Sequence, residues 1–201
     1  MTNDRNGTDR PADAEKSAEL CARARKVELI ILDVDGVLTD GTVTVDSEKE
    51  CQKSFNCRDG LGITTWHRLG KRTAIITGRN SPPVVYRAKE LHISEVYLGT
   101  LDKREAYKEL KAKFDLTDGA ICYIGDDLID LPILRQAGFP AAVGDAVDEV
   151  KAAAALVAEK PGGRGAVREI IEFILKAQGR WQDVLAYFDI EPKGSIRGIS
   201  Q

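Results

Sequence analysis

The sequence lacks the long apolar runs that mark membrane and secreted proteins. No apolar stretch approaches the roughly 18 residues that a membrane-spanning helix needs, and the longest run, residues 152–158, is mostly alanine. Residues 1–19 are polar and charged, without the apolar segment of a secretory signal. We therefore expect a cytoplasmic protein that has no membrane partner.

Cysteine is also scarce. The four cysteines form no C-x-x-C pair; they are Cys21, Cys51, Cys57 and Cys122. This spacing supports neither a zinc knuckle nor a redox motif. In a cytosolic setting four reduced thiols are the simplest interpretation, and an oxidised pair of Cys51 and Cys57, which are close in sequence, is the alternative.

An excess of positive charge is missing as well. The 201 residues include 29 Lys and Arg against 32 Asp and Glu, a formal net charge of −3. A nucleic-acid-binding protein needs a concentrated positive surface, so we expect no nucleic-acid partner. The remaining composition, 43% hydrophobic and 30% charged, is that of a globular protein, and the length suits one domain with extensions.

Short apolar segments alternate with segments of helical pattern along most of the chain. Buried strands are predicted at residues 27–32, 72–76, 96–98, 120–124, 139–143 and 155–157. Helices are predicted at residues 60–69, 82–91, 102–114, 128–137, 147–152 and 166–178. This alternation predicts an α/β fold in which a doubly wound parallel sheet forms the middle of three α/β/α layers.

The flanking segments set the predicted domain limits. Residues 1–24 are polar and predict a disordered N-terminal tail, with a short helix over residues 12–24 as the alternative. Residues 25–178 form the predicted domain, and residues 179–201 a C-terminal tail. Two extended pieces, residues 42–46 and 51–55, predict a small exposed β-hairpin after the first strand.

Acidic residues follow two of the predicted strands. Asp33 and Asp35 come directly after the first strand, and Asp126, Asp127 and Asp130 follow the fourth. Each group alone is also typical of turns or helix N-termini. Parallel sheets, however, bind ligands beyond the carboxyl ends of their strands, so these acids are expected in one crevice. Their repulsion calls for a cation, and oxygen ligands suit Mg²⁺.

Groups that suit a phosphate follow the two remaining strands of this region. Thr77, Gly78 and Arg79 offer a hydroxyl, a backbone amide and a guanidinium after the second strand. Lys103 begins a charged helix after the third strand. Each signal is weak alone, because Thr-Gly is common in turns and a lysine at a helix start is usually solvated.

These four segments, in this order, resemble the haloacid dehalogenase superfamily of phosphotransferases. Within it the chain is similar to the phosphatases of 3-deoxy-D-manno-octulosonate 8-phosphate. The stretches that carry the resemblance are DVDGVLTDG (33–41), FNCRDGLGI (55–63), GDDLID (125–130) and GGRGAVRE (162–169). The resemblance implies a Mg²⁺-dependent phosphatase of a sugar-acid phosphate that forms an aspartyl-phosphate intermediate.

The resemblance also implies roles for the acids. Asp33 would be the nucleophile and Asp35 the general acid and then base. Asp33, the backbone carbonyl of Asp35, and Asp126 would hold Mg²⁺. Asp127 would be an outer ligand or belong to an additional metal site.

The phosphate-binding set follows from the same resemblance. Thr77, the Gly78 amide and Lys103 would hold the phosphoryl oxygens. Asp130 would orient Lys103 through a salt bridge.

The resemblance implies that a neighbouring subunit, and not a cap domain, covers the site. The gaps in the core hold no room for a cap domain, only the hairpin and one helix. The resembled enzymes are commonly tetramers in which a neighbour covers the site, so we expect a homotetramer with residues 42–55 as a contact; a plain exposed hairpin is the alternative. The C-terminal tail, with Trp181, Tyr187 and Phe188, either reaches a neighbouring site or forms a docking helix.

The substrate is less constrained than the chemistry. Four arginines are candidates to bind the substrate carboxylate bidentately; they are Arg58, Arg79, Arg87 and Arg164. Arg164 is favoured because its glycine-rich loop, residues 162–165, can approach an anion closely. A phosphatase of a nine-carbon sugar-acid 9-phosphate is one alternative. An accessory module of a sialic-acid cytidylyltransferase is another, although such a module has no physical need for the acid cluster.

Overall fold

The computed structural model describes residues 11–45 and 51–189. Its centre is a parallel six-stranded sheet with the strand order β5-β4-β1-β6-β7-β8, and a separate two-stranded antiparallel sheet contains β2 and β3. The strands are β1 (Leu29–Leu32), β2 (Thr44–Val45), β3 (Cys51–Gln52), β4 (Arg72–Ile76), β5 (Glu95–Tyr97), β6 (Ile121–Gly125), β7 (Phe139–Ala142) and β8 (Leu156–Val157).

The helices cover this sheet in two groups. Helices α1 and α2 pack against α7, whereas α4 and α6 pack against α5. The helices are α1 (Pro11–Ala24), α2 (Cys57–Arg68), α3 (Pro82–Glu90), α4 (Arg104–Phe114), α5 (Leu131–Leu134), α6 (Asp148–Ala153), α7 (Ala166–Ala177) and α8 (Trp181–Tyr187). The predicted doubly wound α/β fold is confirmed.

The central strands are buried on both faces, as their apolar sequences require. All four residues of β1 are fully buried, and β1 pairs with β4 on one side and β6 on the other. Trp66, Tyr107, Tyr123 and Phe139 are the largest fully buried side chains of the described core. Because β1, β4 and β6 are adjacent and parallel, their carboxyl ends meet at one edge of the sheet.

One predicted helix differs from the structure. Residues 128–137 form a short 3₁₀ turn, Leu128–Asp130, followed by the single α-helical turn α5. Pro132 lies at the start of α5, where it cannot donate a backbone hydrogen bond to the preceding turn. The segment therefore divides into two short helical turns instead of forming one regular α-helix.

The hairpin that follows β1 is confirmed. Strands β2 and β3 pair antiparallel, with Thr44 opposite Gln52. Within the described residues only this hairpin lies between β1 and α2, and only α3 lies between β4 and β5. The structure thus agrees with the prediction that the fold lacks a cap domain.

The prediction of a disordered tail over residues 1–24 is wrong for residues 11–24, which form α1; residues 1–10 lie outside the described part. The alternative of a short helix is correct. Its C-terminal end packs on the domain, because Ala24 is fully buried and Arg23 Nε donates to the Gly138 carbonyl at 2.8 Å. Burial at this end compensates for the polar sequence before it.

The C-terminal segment contains α8, and this helix docks on its own chain. Val184 is buried, and the Trp181 ring lies under two cations of α7, Arg168 at 5.7 Å and Lys176 at 5.0 Å. The docking-helix interpretation therefore holds for residues 181–187, whereas contact with a neighbouring site would fall to residues 190–201, outside the described part. No helix in the described ranges is long and apolar enough to cross a membrane.

Candidate active site

One pocket of about 200 Å³ lies at the carboxyl ends of β1, β4 and β6. It brings together residues that follow four different strands. The residues that line it are Asp33, Asp35, Thr77, Gly78, Arg79, Leu101, Lys103, Asp126, Asp127 and Ile129. The pocket therefore unites every residue for which the sequence predicts a catalytic, phosphate-binding or metal-binding role.

The loop after β1 is folded tightly around the Val34 carbonyl. This oxygen accepts hydrogen bonds from the backbone N–H groups of residues 37, 38 and 39 and from the Thr39 hydroxyl. Gly36 has φ +87°, and a Cβ at this position would collide with the Asp126 carboxyl. Glycine is needed here both for the backbone conformation and for the approach of Asp126.

Three carboxylates form a cluster at the pocket, in which Asp33 and Asp130 are buried and Asp126 is half-buried. One oxygen from each of Asp33, Asp126 and Asp130 lies within 4.8 Å of the others. Burial is the main cause that raises the pKa of Asp33 to about 6 and that of Asp126 to about 8, and in both the neighbouring carboxylates add to it. Asp126 Oδ1 is buried without a hydrogen-bond partner in the described structure. This donor set fits a hard divalent cation.

Lys103 is the buried cation of the cluster. Its Nζ lies 2.9 Å from Asp33 Oδ1 and 2.7 Å from Asp130 Oδ1, and it donates to the Tyr123 hydroxyl at 3.1 Å. Burial alone would lower the pKa of Lys103, but the charges of Asp33 and Asp130 outweigh burial and raise it. The ammonium is therefore charged and directed at the nucleophile candidate.

Asp130 fixes both Lys103 and the loop after β6. Its Oδ2 accepts from the Asp126 and Asp127 backbone N–H groups at 2.9 and 3.3 Å, and its Oδ1 accepts from the Tyr123 hydroxyl at 2.6 Å. The expected ion pair with Lys103 is present. Tyr123 is not among the predicted site residues; the sequence signal for it is a tyrosine within an otherwise apolar buried strand, ICYIG.

Asp127 serves a local structural purpose. Its side chain is exposed, and Oδ1 accepts from the Leu128 N–H at 2.7 Å, which caps the 3₁₀ turn. This contact corresponds to the helix-cap interpretation of the acid-rich motif. An outer-shell or additional-metal role for Asp127 remains a prediction.

Asp35 lies between two cations. Its Oδ1 pairs with Lys53, and its Oδ2 lies 3.7 Å from Arg79 Nε. The sequence does not predict a role for Lys53. Its contact joins residues 18 positions apart through the path of the hairpin, and a single lysine in CQKSF gives no sequence signal for it.

Thr77 and Gly78 follow β4 and face the same pocket. Thr77 is buried; its backbone N–H donates to the Tyr97 carbonyl at 2.9 Å, and its own carbonyl accepts from the Thr100 N–H at 2.9 Å. The Thr77 hydroxyl accepts a weak bond from the Arg79 N–H at 3.4 Å. The turn is thus held by the neighbouring strand, which fixes the hydroxyl and amide relative to Asp33.

Only one of the four candidate arginines, Arg79, lines the pocket in the described structure. Arg87 donates to Glu90 at 2.8 Å and to the Asn56 carbonyl at 3.4 Å. Arg58 and Arg164 are exposed and lie outside the residues that line the pocket. None of these three arginines lines the pocket of its own chain, so a substrate role for Arg58, Arg87 or Arg164 remains a prediction.

The glycine-rich loop, residues 162–165, packs on the loop after β1 in the described structure. Gly163 N–H donates to the Val37 carbonyl at 2.9 Å, and Arg164 pairs with Asp40 at 3.0 Å. A Cβ at Gly162 would collide with the Gly36 carbonyl. Glycine is required because this loop packs directly on the backbone of the loop after β1.

Asp59 anchors the same loop from α2. It is buried, and its carboxylate accepts from the Gly165 N–H at 3.1 Å and the Arg168 N–H at 2.8 Å, at the N-terminus of α7. Burial raises the pKa of Asp59, against these two hydrogen bonds. The Asp59 carboxylate thus links the motif FNCRDGLGI to the motif GGRGAVRE, and the glycine-rich loop of the second motif packs on the loop that carries Asp33.

Comparison with known proteins agrees with this geometry. A family model described as haloacid dehalogenase-like hydrolase matches residues 87–171. The chain is 41% identical over 164 residues to the 3-deoxy-D-manno-octulosonate 8-phosphate phosphatase of Escherichia coli K12, covering 82% of this chain and 87% of that protein.

Solved structures show the same relationship. The 3-deoxy-D-manno-octulosonate 8-phosphate phosphatase of Moraxella catarrhalis, in complex with a magnesium ion, a phosphate ion and a KDO molecule, is 41% identical, with a TM-score of 0.82 over 85% of this chain and 98% of that one. A subfamily III A hydrolase from Legionella pneumophila is 40% identical, with a TM-score of 0.85 over 89% and 98% of the two chains. The chain therefore belongs to the haloacid dehalogenase-like hydrolases and, within them, to the family of the 3-deoxy-D-manno-octulosonate 8-phosphate phosphatases.

Proposed function

We propose that this chain is a Mg²⁺-dependent phosphatase that hydrolyses 3-deoxy-D-manno-octulosonate 8-phosphate to the free sugar acid and inorganic phosphate. The observation that carries the proposal is the pocket in which Asp33 and Asp35 meet Thr77, Lys103 and the carboxylate of Asp126. The substrate follows from relatives that are 41% identical and carry this activity in their names.

The acid cluster supports the metal assignment. Asp33, the backbone carbonyl of Asp35, and Asp126 would hold Mg²⁺, and the unpartnered Asp126 Oδ1 is the oxygen that most needs a cation. The ion supplies charge neutralisation for the phosphoryl oxygens. Lys103, Thr77 and the Gly78 amide complete the positive surroundings of the phosphate.

The two carboxylates after β1 divide the reaction into two steps. An Asp33 oxygen attacks phosphorus, the bond from phosphorus to the sugar oxygen breaks, and that oxygen takes a proton from Asp35. A water oxygen then attacks the aspartyl-phosphate, Asp35 takes back a proton, and the bond between Asp33 and phosphorus breaks. Both residues return to their initial states.

Among the arginines, we propose that Arg79 contacts the sugar acid. Its side chain is 59% exposed although it lines the pocket, and its Nε is only loosely paired with Asp35. A guanidinium with free donors can bind a carboxylate bidentately or several sugar oxygens.

The oligomer that we propose is a homotetramer in which a neighbouring subunit covers the pocket. Leu101, which lines the pocket, is exposed, as are Leu128 after the pocket residue Asp127 and Val45 on the hairpin. A neighbouring subunit that packed on these side chains would remove their apolar surface from water. Sedimentation velocity distinguishes the tetramer from a monomer with an uncovered site.

Phosphate release from a panel of sugar phosphates tests the function. We expect the highest kcat/KM for the eight-carbon 8-phosphate, and we expect EDTA to abolish turnover. Asp35→Asn should lower kcat by about 10²- to 10⁴-fold, the usual contribution of a general acid, with a small change in KM.

Two outcomes would contradict this proposal. A higher kcat/KM for a nine-carbon 9-phosphate would show that the substrate belongs to that class, with the same reaction mechanism. No release from any substrate, by protein that is folded and loaded with Mg²⁺, would favour the accessory-module alternative.

The raised pKa values predict that Mg²⁺ stabilises the protein more at pH 8 than at pH 5.5. Asp33 and Asp126 have pKa values of about 6 and about 8 in the fold and about 4 when unfolded. The folded metal-free protein thus holds extra protons and loses stability as pH rises from about 4 to 8. Cation binding needs the ionised carboxylates, so it becomes stronger over the same range.

Thermal unfolding with and without Mg²⁺ measures this difference. At Mg²⁺ about 100-fold above Kd at pH 8, binding stabilises by about 2.7 kcal/mol, which is roughly 5–10 °C in Tm for a chain of this size. The increase should be less than half as large at pH 5.5 and small in Asp126→Asn at both pH values. Equal increases at the two pH values in the wild type would contradict the coupling of Mg²⁺ binding to ionisation of these carboxyls, and an undiminished increase in Asp126→Asn would contradict the metal assignment.

A further inference from the structure

Lys53 is a buried lysine that no role described above uses. It follows β3 on the returning arm of the hairpin, and its side chain is only 1% exposed. Its Nζ pairs with Asp35 Oδ1, and Asp35 is the partner that the described structure gives to this ammonium. A buried charge needs such a partner, so this contact fixes the positions of both groups.

The other cation beside Asp35 does not fix the carboxylate in this way. Arg79 Nε is 3.7 Å from Asp35 Oδ2, beyond hydrogen-bond distance, and its side chain is largely exposed. Lys53 therefore determines which carboxylate oxygen is occupied. With Oδ1 on Lys53, Oδ2 is left on the side of Arg79, which lines the pocket.

The segment that carries Lys53 is itself anchored. Phe55 packs against the main core, and the Arg87 guanidinium lies over its ring at 5.7 Å. Asn56 then caps α2 through Oδ1, which accepts from the Arg58 N–H at 2.8 Å. Lys53 thus reaches Asp35 from a firmly attached part of the hairpin, two residues before the core contact.

We propose that Lys53 is a positioning residue that holds Asp35 in the orientation in which Oδ2 meets the leaving oxygen of the substrate. The proposal rests on the proposed function, because Asp35 is taken as the group that exchanges a proton with that oxygen. A misplacement of about 1 Å in such a group can cost about 10²-fold in rate. The hairpin is then part of the catalytic apparatus as well as a surface element.

This role predicts a dependence on the leaving group. A sugar alkoxide leaves slowly without a proton from Asp35, whereas p-nitrophenolate leaves without one. Loss of Lys53 should therefore lower kcat/KM for the sugar phosphate and spare kcat/KM for p-nitrophenyl phosphate. This ratio reports the first step, whereas kcat also includes the second step, in which Asp35 takes a proton from water with either substrate. A lysine that contacted the phosphoryl group, or only stabilised the fold, would affect both substrates alike.

The experiment compares Lys53→Met with wild type on both substrates. Methionine keeps an apolar stem of similar length, and Lys108→Met, at an exposed lysine that pairs with Glu105, is the matched control. We expect Lys53→Met to lower kcat/KM for the sugar phosphate by about 10- to 100-fold, with kcat/KM for p-nitrophenyl phosphate changed by less than about 3-fold. Lys53→Arg should recover part of the loss.

A double variant tests whether Lys53 acts through Asp35. On an Asp35→Asn background, Lys53→Met should lower kcat no further, since contacts that act through one residue are not additive. Additive losses, equal losses of kcat/KM on both substrates, or an unchanged kcat/KM for the sugar phosphate would each overturn the proposal. Matching Tm values for Lys53→Met and wild type exclude unfolding as the cause.

Failure of the proposed substrate is distinguishable from failure of this inference. If the wild type turns over p-nitrophenyl phosphate but not the eight-carbon 8-phosphate, the substrate is wrong, and the same comparison is made with the alkyl phosphate that the panel identifies. If the wild type releases phosphate from no substrate, both proposals fail together.

Discussion

Replacement of Asp33 by asparagine should abolish turnover while leaving the protein folded. The amide cannot form the phosphorylated intermediate, and loss of a covalent nucleophile costs at least about 10⁴-fold in kcat. Phosphate release from the sugar phosphate and from p-nitrophenyl phosphate should fall alike, because both reactions begin with the same attack. Steady-state kinetics on cleanly purified Asp33→Asn measures the loss.

The fold should tolerate this change because the buried position of Asp33 makes its ionised carboxylate unfavourable. Burial raises its pKa to about 6, so a neutral side chain of the same shape removes a desolvation cost. Lys103 keeps its contact with Asp130, at 2.7 Å. We expect the Tm of metal-free Asp33→Asn at pH 8 to equal or exceed that of the wild type, and full activity of this variant would refute the nucleophile assignment.

Replacement of Lys103 by methionine should damage both activity and stability. The ammonium is buried between Asp33 and Asp130, and removing one partner of a buried ionic group typically costs about 3–5 kcal/mol. Loss of a preorganised positive group at the phosphate should also lower kcat by about 10²- to 10³-fold. Urea unfolding of metal-free protein and phosphate release measure the two effects separately.

The pH dependence and a second substitution separate these effects. The destabilisation should be smaller at pH 5 than at pH 8, because Asp33, with a pKa of about 6, becomes protonated as pH falls. Combining Lys103→Met with Asp130→Asn removes one uncompensated charge and should restore part of the stability but none of the activity. Recovery of activity in the double variant would mean that Lys103 acts only as a structural counter-ion.

The positions of the strand ends could be predicted from the sequence because the apolar residues that make each strand bury itself are consecutive in the chain. The β-branched and apolar segments around residues 27–32, 72–76 and 120–124 specify buried parallel strands, and parallel strands bring their carboxyl ends together. The positions of Asp33, Thr77 and Asp126 in one pocket then follow from the topology. The prediction needed only chain order and strand direction.

Side-chain partners across the fold could not be predicted in this way. Lys53 reaches Asp35 only because of how the hairpin folds back, and Arg87 reaches the Asn56 carbonyl only because α3 lies beside the start of α2. Arg164 resembles an anion-binding residue by its glycine neighbours, yet Gly162 and Gly163 allow close packing on the backbone of Gly36 and Thr39. The sequence shows that a glycine is present, but it does not show which part of the chain packs against that glycine.

The packing of the glycine-rich loop on the loop after β1 also has a consequence for the order of folding. The pair of Arg164 and Asp40 joins positions 124 residues apart, and closing so long a chain segment is entropically costly and slow. The nucleophile's loop therefore gains its last support only when α7, near the end of the domain, docks beside it. During synthesis the motif that carries the chemistry emerges early, but its site is completed late, so a nascent chain should acquire phosphatase activity only after nearly the whole domain has left the ribosome.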